Sequence, residues 1–165
     1  MAGLVYELMD VLETQIALFD ELTVFAAKKK DLIIGNNTAD LSLLTVSENA
    51  VVTKIQKSDK SRVTLMTDIA NVLGNDKGLT LTELCGLLAG KPEHQRLHDL
   101  TERTRDKIHE LKALNDQNKI LVDSSLEYIE FTINTIRSSL LPEQAIYSRD
   151  GEELGVRQSF FDAKQ

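Results

Sequence analysis

Apolar residues recur along most of the chain in alternating steps of three and four, a spacing that predicts long amphipathic α-helices. The first predicted helix covers residues 2–34 and has a heptad seam with one polar member. The seam consists of Val5, Leu8, Leu12, Gln15, Phe19, Leu22 and Ala26. Gly35-Asn36-Asn37 follows, and Gly and Asn both tolerate the left-handed conformation that ends many helices.

A second helix is predicted over residues 38–73, with Asn37 or Thr38 as its N-cap and polar residues weakening the middle of its seam. Because the connection to the first helix is short, we expect the two to form an antiparallel hairpin. A loop follows, and Thr80 with Glu83 fits the capping-box pattern that opens a short helix over residues 81–88.

The last predicted helix covers residues 93–141, since no Gly or Pro occurs between Pro92 and Pro142. Many apolar positions recur at intervals of eleven, which is typical of a nearly straight helix. This helix is longer than either partner in the hairpin, so we expect part of its apolar face to lack an intramolecular partner. We call the last part of that face the C-terminal stripe. It consists of Val122, Leu126, Ile129, Ile133, Ile136 and Leu140.

These patterns predict an all-α protein, an antiparallel helical hairpin or bundle with one long C-terminal helix. The helical bundle is expected over residues 1–141. Residues 142–165 show no apolar period and contain two further glycines, so we expect a mobile C-terminal tail.

The net charge and the number of cysteines limit which partners and which cellular compartment are expected. The net charge of −7 repels phosphate backbones and anionic lipids, so neither nucleic acid nor a membrane surface is an expected partner. No apolar run is long enough to cross a bilayer. The single cysteine, Cys85, fits a reducing compartment, and we expect a buried thiol and a cytoplasmic protein. The basic run Lys28–Lys30 is interpreted as complementing the dipole at the end of the first helix.

Candidate chemistry is sparse. His94 and His98 have a spacing that can share a metal ion, but no further ligand set accompanies them. His109-Glu110-Leu111-Lys112 is similar to the phosphorylated site of histidine-phosphotransfer domains, although Ala113 stands where those domains have glycine. No phosphate loop or nucleophile elbow occurs. We therefore expect a protein that is not an enzyme and uses no cofactor or metal.

The last third of the chain resembles the FlgN family of flagellar export chaperones. The resemblance rests on Leu114–Leu121 (LNDQNKIL), which holds two asparagines three residues apart, on Ser125–Ile129 (SLEYI), and on Tyr147–Gly151 (YSRDG). One departure is Arg149, where that family more often has a small residue. The layout of helices agrees over nearly the full length.

The resemblance implies a chaperone that binds hook-associated proteins of the hook–filament junction, prevents their premature assembly and delivers them to the flagellar export gate. Family members hold the C-terminal segment of the client with the end of the long helix and the segment after it. The implied client-binding residues are Asn115, Asn118, Val122, Leu126, Ile129, Ile133, Ile136, Leu140 and Tyr147.

Alternatives remain open for these positions. The C-terminal stripe has the pattern of intramolecular core, or of the interface of a structural coiled-coil homo-oligomer. Asn115 or Asn118 is interpreted as a buried polar layer that sets helix register, a role we favour for at least one of them. A third hypothesis is a phosphotransfer module that uses His109. The sequence does not decide between different roles for Tyr147, or between different roles for Phe160-Phe161.

Overall fold

The computed structural model describes residues 1–75 and 78–140, without the side chain of Leu140. This part of the chain contains four α-helices and no strand: α1 (Ala2–Ile34), α2 (Thr38–Val72), α3 (Leu81–Leu87) and α4 (Glu93–Leu140). The all-α prediction is confirmed. The limits of α1, α2 and α3 and the start of α4 differ from the expected ones by at most one residue, and residue 141, the expected end of α4, lies outside the described residues. The expected tail, residues 142–165, lies outside the described residues.

The chain divides into two compact units, Met1–Tyr128 and Ile129–Gln165. The first holds α1, α2, α3 and the greater part of α4. Of the second, the structure describes the helical residues 129–140.

Local sequence signals determine where α1 and α2 end. At the end of α1, Asn36 adopts a left-handed φ of 51°, and the backbone N–H of Asn37 donates to the carbonyl oxygen of Leu32. At the end of α2, Gly74 has a φ of 68°, and the backbone N–H of Asn75 donates to the carbonyl oxygen of Ala70 in the same 6→1 pattern. Both ends are Schellman motifs, which satisfy carbonyl groups that the helix leaves without partners.

Side-chain caps determine where α2 and α3 begin. The side chain of Asn37 accepts a hydrogen bond from the backbone N–H of Asp40 at the start of α2. The capping box of α3 is complete: the N–H of Thr80 donates to Glu83 Oε2 over 2.8 Å, and the N–H of Glu83 donates to Thr80 Oγ1 over 3.2 Å. These bonds satisfy amide donors that a helix start leaves unpaired.

The main core of the first unit lies where the N-terminal half of α1, the C-terminal half of α2, α3 and the start of α4 meet. Met9 and Ile16 of α1 are buried there although they lie outside the predicted heptad seam. They are buried because α1 contacts more than one neighbouring helix, which widens its apolar face beyond a two-helix seam. The fully buried side chains of this core include Leu8, Leu12, Ile69, Leu84 and Leu97.

The expected antiparallel hairpin of α1 and α2 is present. Lys29, near the end of α1, forms an ion pair with Glu48, near the start of α2, and both side chains are largely buried. At the other end of the hairpin, Leu8 and Ile69 belong to the same apolar cluster. The interpretation of Lys28–Lys30 as charges on the helix dipole is wrong, because α1 continues to Ile34 and has no basic residue in its last turn.

Other expectations concern single residues and membrane insertion. Cys85 is buried, as expected, and its Sγ lies 3.8 Å from Thr101 Oγ1. None of the described helices combines the length and apolar character that a bilayer span requires.

Candidate functional site

Within the first unit, α4 lies parallel to α1, and three polar contacts define the register of the two helices. Arg96 donates to Glu13 over 2.9 Å, Lys107 donates to Asp20 over 2.8 Å, and the side-chain amide of Asn118 donates to the carbonyl oxygen of Ala26 over 2.8 Å.

Two of these contacts shift the pKa of a basic group. Hydrogen bonding to Glu13 raises the pKa of Arg96, and hydrogen bonds to Asp20 and Glu110 raise the pKa of Lys107. Arg96 is exposed and Lys107 is partly exposed, so these ion pairs add little to the stability of the fold.

The apolar face of α4 changes from buried to exposed along the first unit. Near its start, Leu97, Leu100 and Thr104 are buried. Further along the same face, Ile108 is 46% exposed. On the same face beyond Asn118, the side chains of Val122 and Leu126 are exposed. The face that packs in the bundle at one end of this unit is therefore accessible at the other.

The two asparagines of the candidate site have different environments. Asn115 is exposed, whereas Asn118 is 4% exposed and is held by Ala26 of α1. A buried amide that bonds to a neighbouring helix fits the polar-layer interpretation. Because Asn118 has no accessible surface to offer, we leave it out of the surface proposed below.

The described side chains of the C-terminal stripe are all exposed. Val122 and Leu126 lie in the first unit, and Ile129, Ile133 and Ile136 lie in the second. Their exposed fractions range from 38% to 54%. Leu140 is the last residue of α4 and its side chain is not described, and Tyr147 lies outside the described residues. Within each unit, helical spacing places the described stripe residues on one side of α4.

One flank of the C-terminal stripe carries charges of both signs. Helical spacing places Asp123 and Glu130 there together with Lys119 and Arg137, and it places Glu127 farther round the helix. Farther round α4 lie the exposed apolar residues Ile120 and Phe131. An exposed apolar row with a charged flank is suited to binding an amphipathic segment.

The histidines belong to two candidate sites, a metal-binding pair and a phosphotransfer site, and neither has further supporting groups among the described residues. The rings of His94 and His98 stack with centroids 6.0 Å apart, and His94 Nδ1 donates to the carbonyl oxygen of Cys85 over 2.9 Å. The residues that the structure describes contain no cluster of three or more metal-ligating side chains. His109 is exposed on α4, and the neighbouring Glu110 pairs with Lys107.

A second surface of the first unit was not predicted from the sequence. A groove between α1 and α2 has Val11, Leu18 and Leu65 among its apolar lining and three lysines along its α2 side. We call it the lysine groove, after Lys54, Lys57 and Lys60. In the sequence, the spacing of three residues between these lysines already indicates that they lie on one side of a helix.

Comparison with known protein families shows which family the chain belongs to. The sequence model of the family described as FlgN protein matches residues 1–155. The chain belongs to the FlgN family. FlgN proteins are chaperones of flagellum biogenesis, so the general role of this FlgN protein is to bind flagellar proteins before export. Comparisons with curated proteins and with solved structures gave no match.

Proposed function

We propose that this FlgN protein holds the C-terminal segments of hook-associated flagellar proteins on the C-terminal stripe of α4. It acts in the cytosol as a stoichiometric binding protein, prevents premature assembly of these clients and delivers them to the export gate. Two observations support the proposal. Within the first unit, Val122 and Leu126 continue the face of α4 that is buried near Leu97, yet their own side chains are exposed, and the described stripe side chains of the second unit are exposed as well.

The spacing of the stripe indicates how a client would bind. Val122, Leu126, Ile129, Ile133 and Ile136 follow steps of four and three, the pattern of a helix that packs against another helix. From Val122 to Ile136 the stripe extends about 21 Å at a rise of 1.5 Å per residue. A client segment that folds as an amphipathic helix over that length buries on the order of 1,000 Å², enough for a complex that still releases its client.

A pair of matched substitutions tests this proposal. Ile133 on the stripe and Ile120 off it are exposed residues of the same helix, and they lie about 140° apart around its axis. Ile133→Asp places a carboxylate in the proposed apolar interface and is expected to weaken binding at least about thirtyfold, or 2 kcal/mol. Ile120→Asp makes the same chemical change outside it, so affinity should stay within about threefold of the wild type.

Binding is measured by isothermal titration calorimetry with C-terminal peptides of hook-associated proteins, and circular dichroism checks that each variant stays helical. Equal affinity of Ile133→Asp and the wild type would remove the stripe from the binding site. Equal losses for both variants would indicate a general effect of charge on α4.

A further inference from the structure

The lysine groove is a surface of the first unit that the proposed function does not use. Its volume near Lys60 is about 620 Å³, and a neighbouring hollow near Lys54 measures about 460 Å³. A third hollow of about 400 Å³ continues the groove toward the connection of the hairpin, where Leu32 of α1 faces Leu44 of α2. From Glu7 to Leu32 of α1, the three hollows follow the hairpin for about 38 Å.

Heptad spacing places the three hollows on one side of the hairpin. Positions seven residues apart lie within about 20° of each other around a helix. The lining residues that follow this spacing are Val11, Leu18 and Leu32 on α1, and Ser47, Lys54 and Ser61 on α2. Two neighbouring rows of this kind are the pattern that receives a further helix, so the groove has the form of a docking site for a helix of another polypeptide.

The helix α4 does not cover this side of the hairpin. Leu18 of α1 lines the groove, whereas Asp20, two residues later, contacts Lys107 of α4. Two residues correspond to about 200° around a helix, so the groove and α4 lie on opposite sides of α1. A client held on Val122 and Leu126, which belong to the same unit, would therefore leave the groove open.

The two edges of the groove differ in charge. Lys54, Lys57 and Lys60 on the α2 edge are exposed, and none of them forms an ion pair within the part of the chain that the structure describes. The α1 edge carries the carboxylates of Glu7 and Asp10. A bound helix would accordingly turn its own carboxylates toward α2, and the opposite charges would fix its orientation.

An open groove of this kind holds a free helix weakly, because a small contact must offset the loss of translational and rotational freedom. A chain that is already bound at the stripe has lost that freedom, and its next segment meets the groove at an effective concentration in the millimolar range. The groove is therefore best suited to a second segment of the chain that the stripe already holds.

The stripe and the groove are close enough for one client chain to reach both. Asn118, one turn before the stripe, contacts Ala26, which lies about 9 Å along α1 from the groove residue Leu32. A linker of roughly ten residues extends to about 33 Å, enough to pass around a helix about 10–12 Å in diameter.

We propose that the lysine groove is a second client subsite, which binds an acidic amphipathic helix next to the C-terminal segment in the same hook-associated protein. This inference rests on the proposed function, since the stripe must hold the client first. Two weak contacts joined by one chain give tight binding overall, and each contact can be released by itself.

Isothermal titration calorimetry tests the subsite with two probes, a full-length hook-associated protein and a C-terminal peptide of about 15 residues, long enough for the stripe alone. The full-length client should bind the wild type at least about tenfold more tightly than the peptide. The groove variant combines Lys54→Glu, Lys57→Glu and Lys60→Glu. It should lose this difference, while its affinity for the peptide stays within about threefold of the wild type. High salt should also reduce the difference, because the groove contact is charged.

A charge-matched control variant reverses three exposed basic residues outside the groove. It combines Lys91→Glu, Arg103→Glu and Lys112→Glu. Its affinities for the peptide and for the full-length client should both stay within about threefold of the wild type, since distant surface charges are screened. Circular dichroism checks that both variants stay helical.

Three results would overturn the inference. The first is a full-length client that binds the wild type no more tightly than the peptide does. The second is a groove variant that keeps the full difference, whether or not its two affinities fall together. The third is a control variant that loses the difference as the groove variant does, which would reduce the effect to net charge. Failure of the proposed function has a separate readout, equal peptide affinity of Ile133→Asp and the wild type.

Discussion

The buried amide of Asn118 gives the sharpest prediction about how α4 is held on α1. Its Nδ2 donates to the carbonyl oxygen of Ala26 over 2.8 Å, and the residue is 4% exposed. Asn118→Ala removes that hydrogen bond, worth about 1 kcal/mol net, and leaves a small void that costs about another 1 kcal/mol. Alanine also has a higher helix propensity than asparagine, which offsets about 0.5 kcal/mol of the loss.

Asn115→Ala is the matched control, because Asn115 lies three residues earlier in the same helix and is exposed. The gain in helix propensity is common to both variants and cancels in their difference. The free energy of unfolding of Asn118→Ala should therefore lie about 2 kcal/mol below that of Asn115→Ala.

Urea denaturation followed by circular dichroism measures this difference. With a slope of about 2 kcal/mol per molar urea, the two unfolding midpoints should differ by about 1 M. Equal midpoints would mean that the Asn118–Ala26 bond does not hold α4 against α1, and the register derived from it would lose its support.

Three further predictions concern the core, a helix start and the phosphotransfer hypothesis. Leu12→Ala, at a fully buried position, should lower the free energy of unfolding by about 2–5 kcal/mol, whereas Leu43→Ala, at an exposed one, should change it by less than about 0.5 kcal/mol in urea denaturation. Thr80→Ala should cost about 1 kcal/mol at neutral pH, because it removes the N-cap of α3. Hydrogen bonds from Thr80 lower the pKa of Glu83, so the capping box is intact above the ordinary glutamate pKa and is lost as pH falls through the lowered value. The cost of Thr80→Ala in urea titrations should accordingly shrink in acid, and a constant cost would contradict this coupling. Phosphate uptake from donor kinases should be at background in both the wild type and His109→Gln. Uptake by the wild type that is lost in His109→Gln would support the phosphotransfer hypothesis.

Helix limits followed from the sequence because they depend on local chemistry. Asn36 adopts the left-handed φ that ends α1, and Thr80 with Glu83 forms the predicted capping box. Such signals act over a few residues and need no knowledge of the packing. The interpretation of Lys28–Lys30 was wrong although the end of α1 was predicted correctly, because the lysines lie before the last turn, which contains no basic residue.

Packing between helices was less accessible from the sequence, because it depends on which faces meet. The burial of Met9 and Ile16 required knowing that α1 contacts several helices, and a single heptad seam carries no such information. The two asparagines of the LNDQNKIL run were equivalent in the sequence, and only the approach of Ala26 separates the buried Asn118 from the exposed Asn115. The lysine groove also depends on two helices coming together.

Crosslinking from the C-terminal stripe tests the central claim most directly. Cys85 is buried, so a photoreactive maleimide should label Ile133→Cys or Ile120→Cys selectively in the folded protein. On illumination with a C-terminal peptide of a hook-associated protein, position 133 should crosslink in high yield and position 120 only at background. Equal yields at the two positions, or a crosslink from position 120 alone, would contradict client capture by this face of α4.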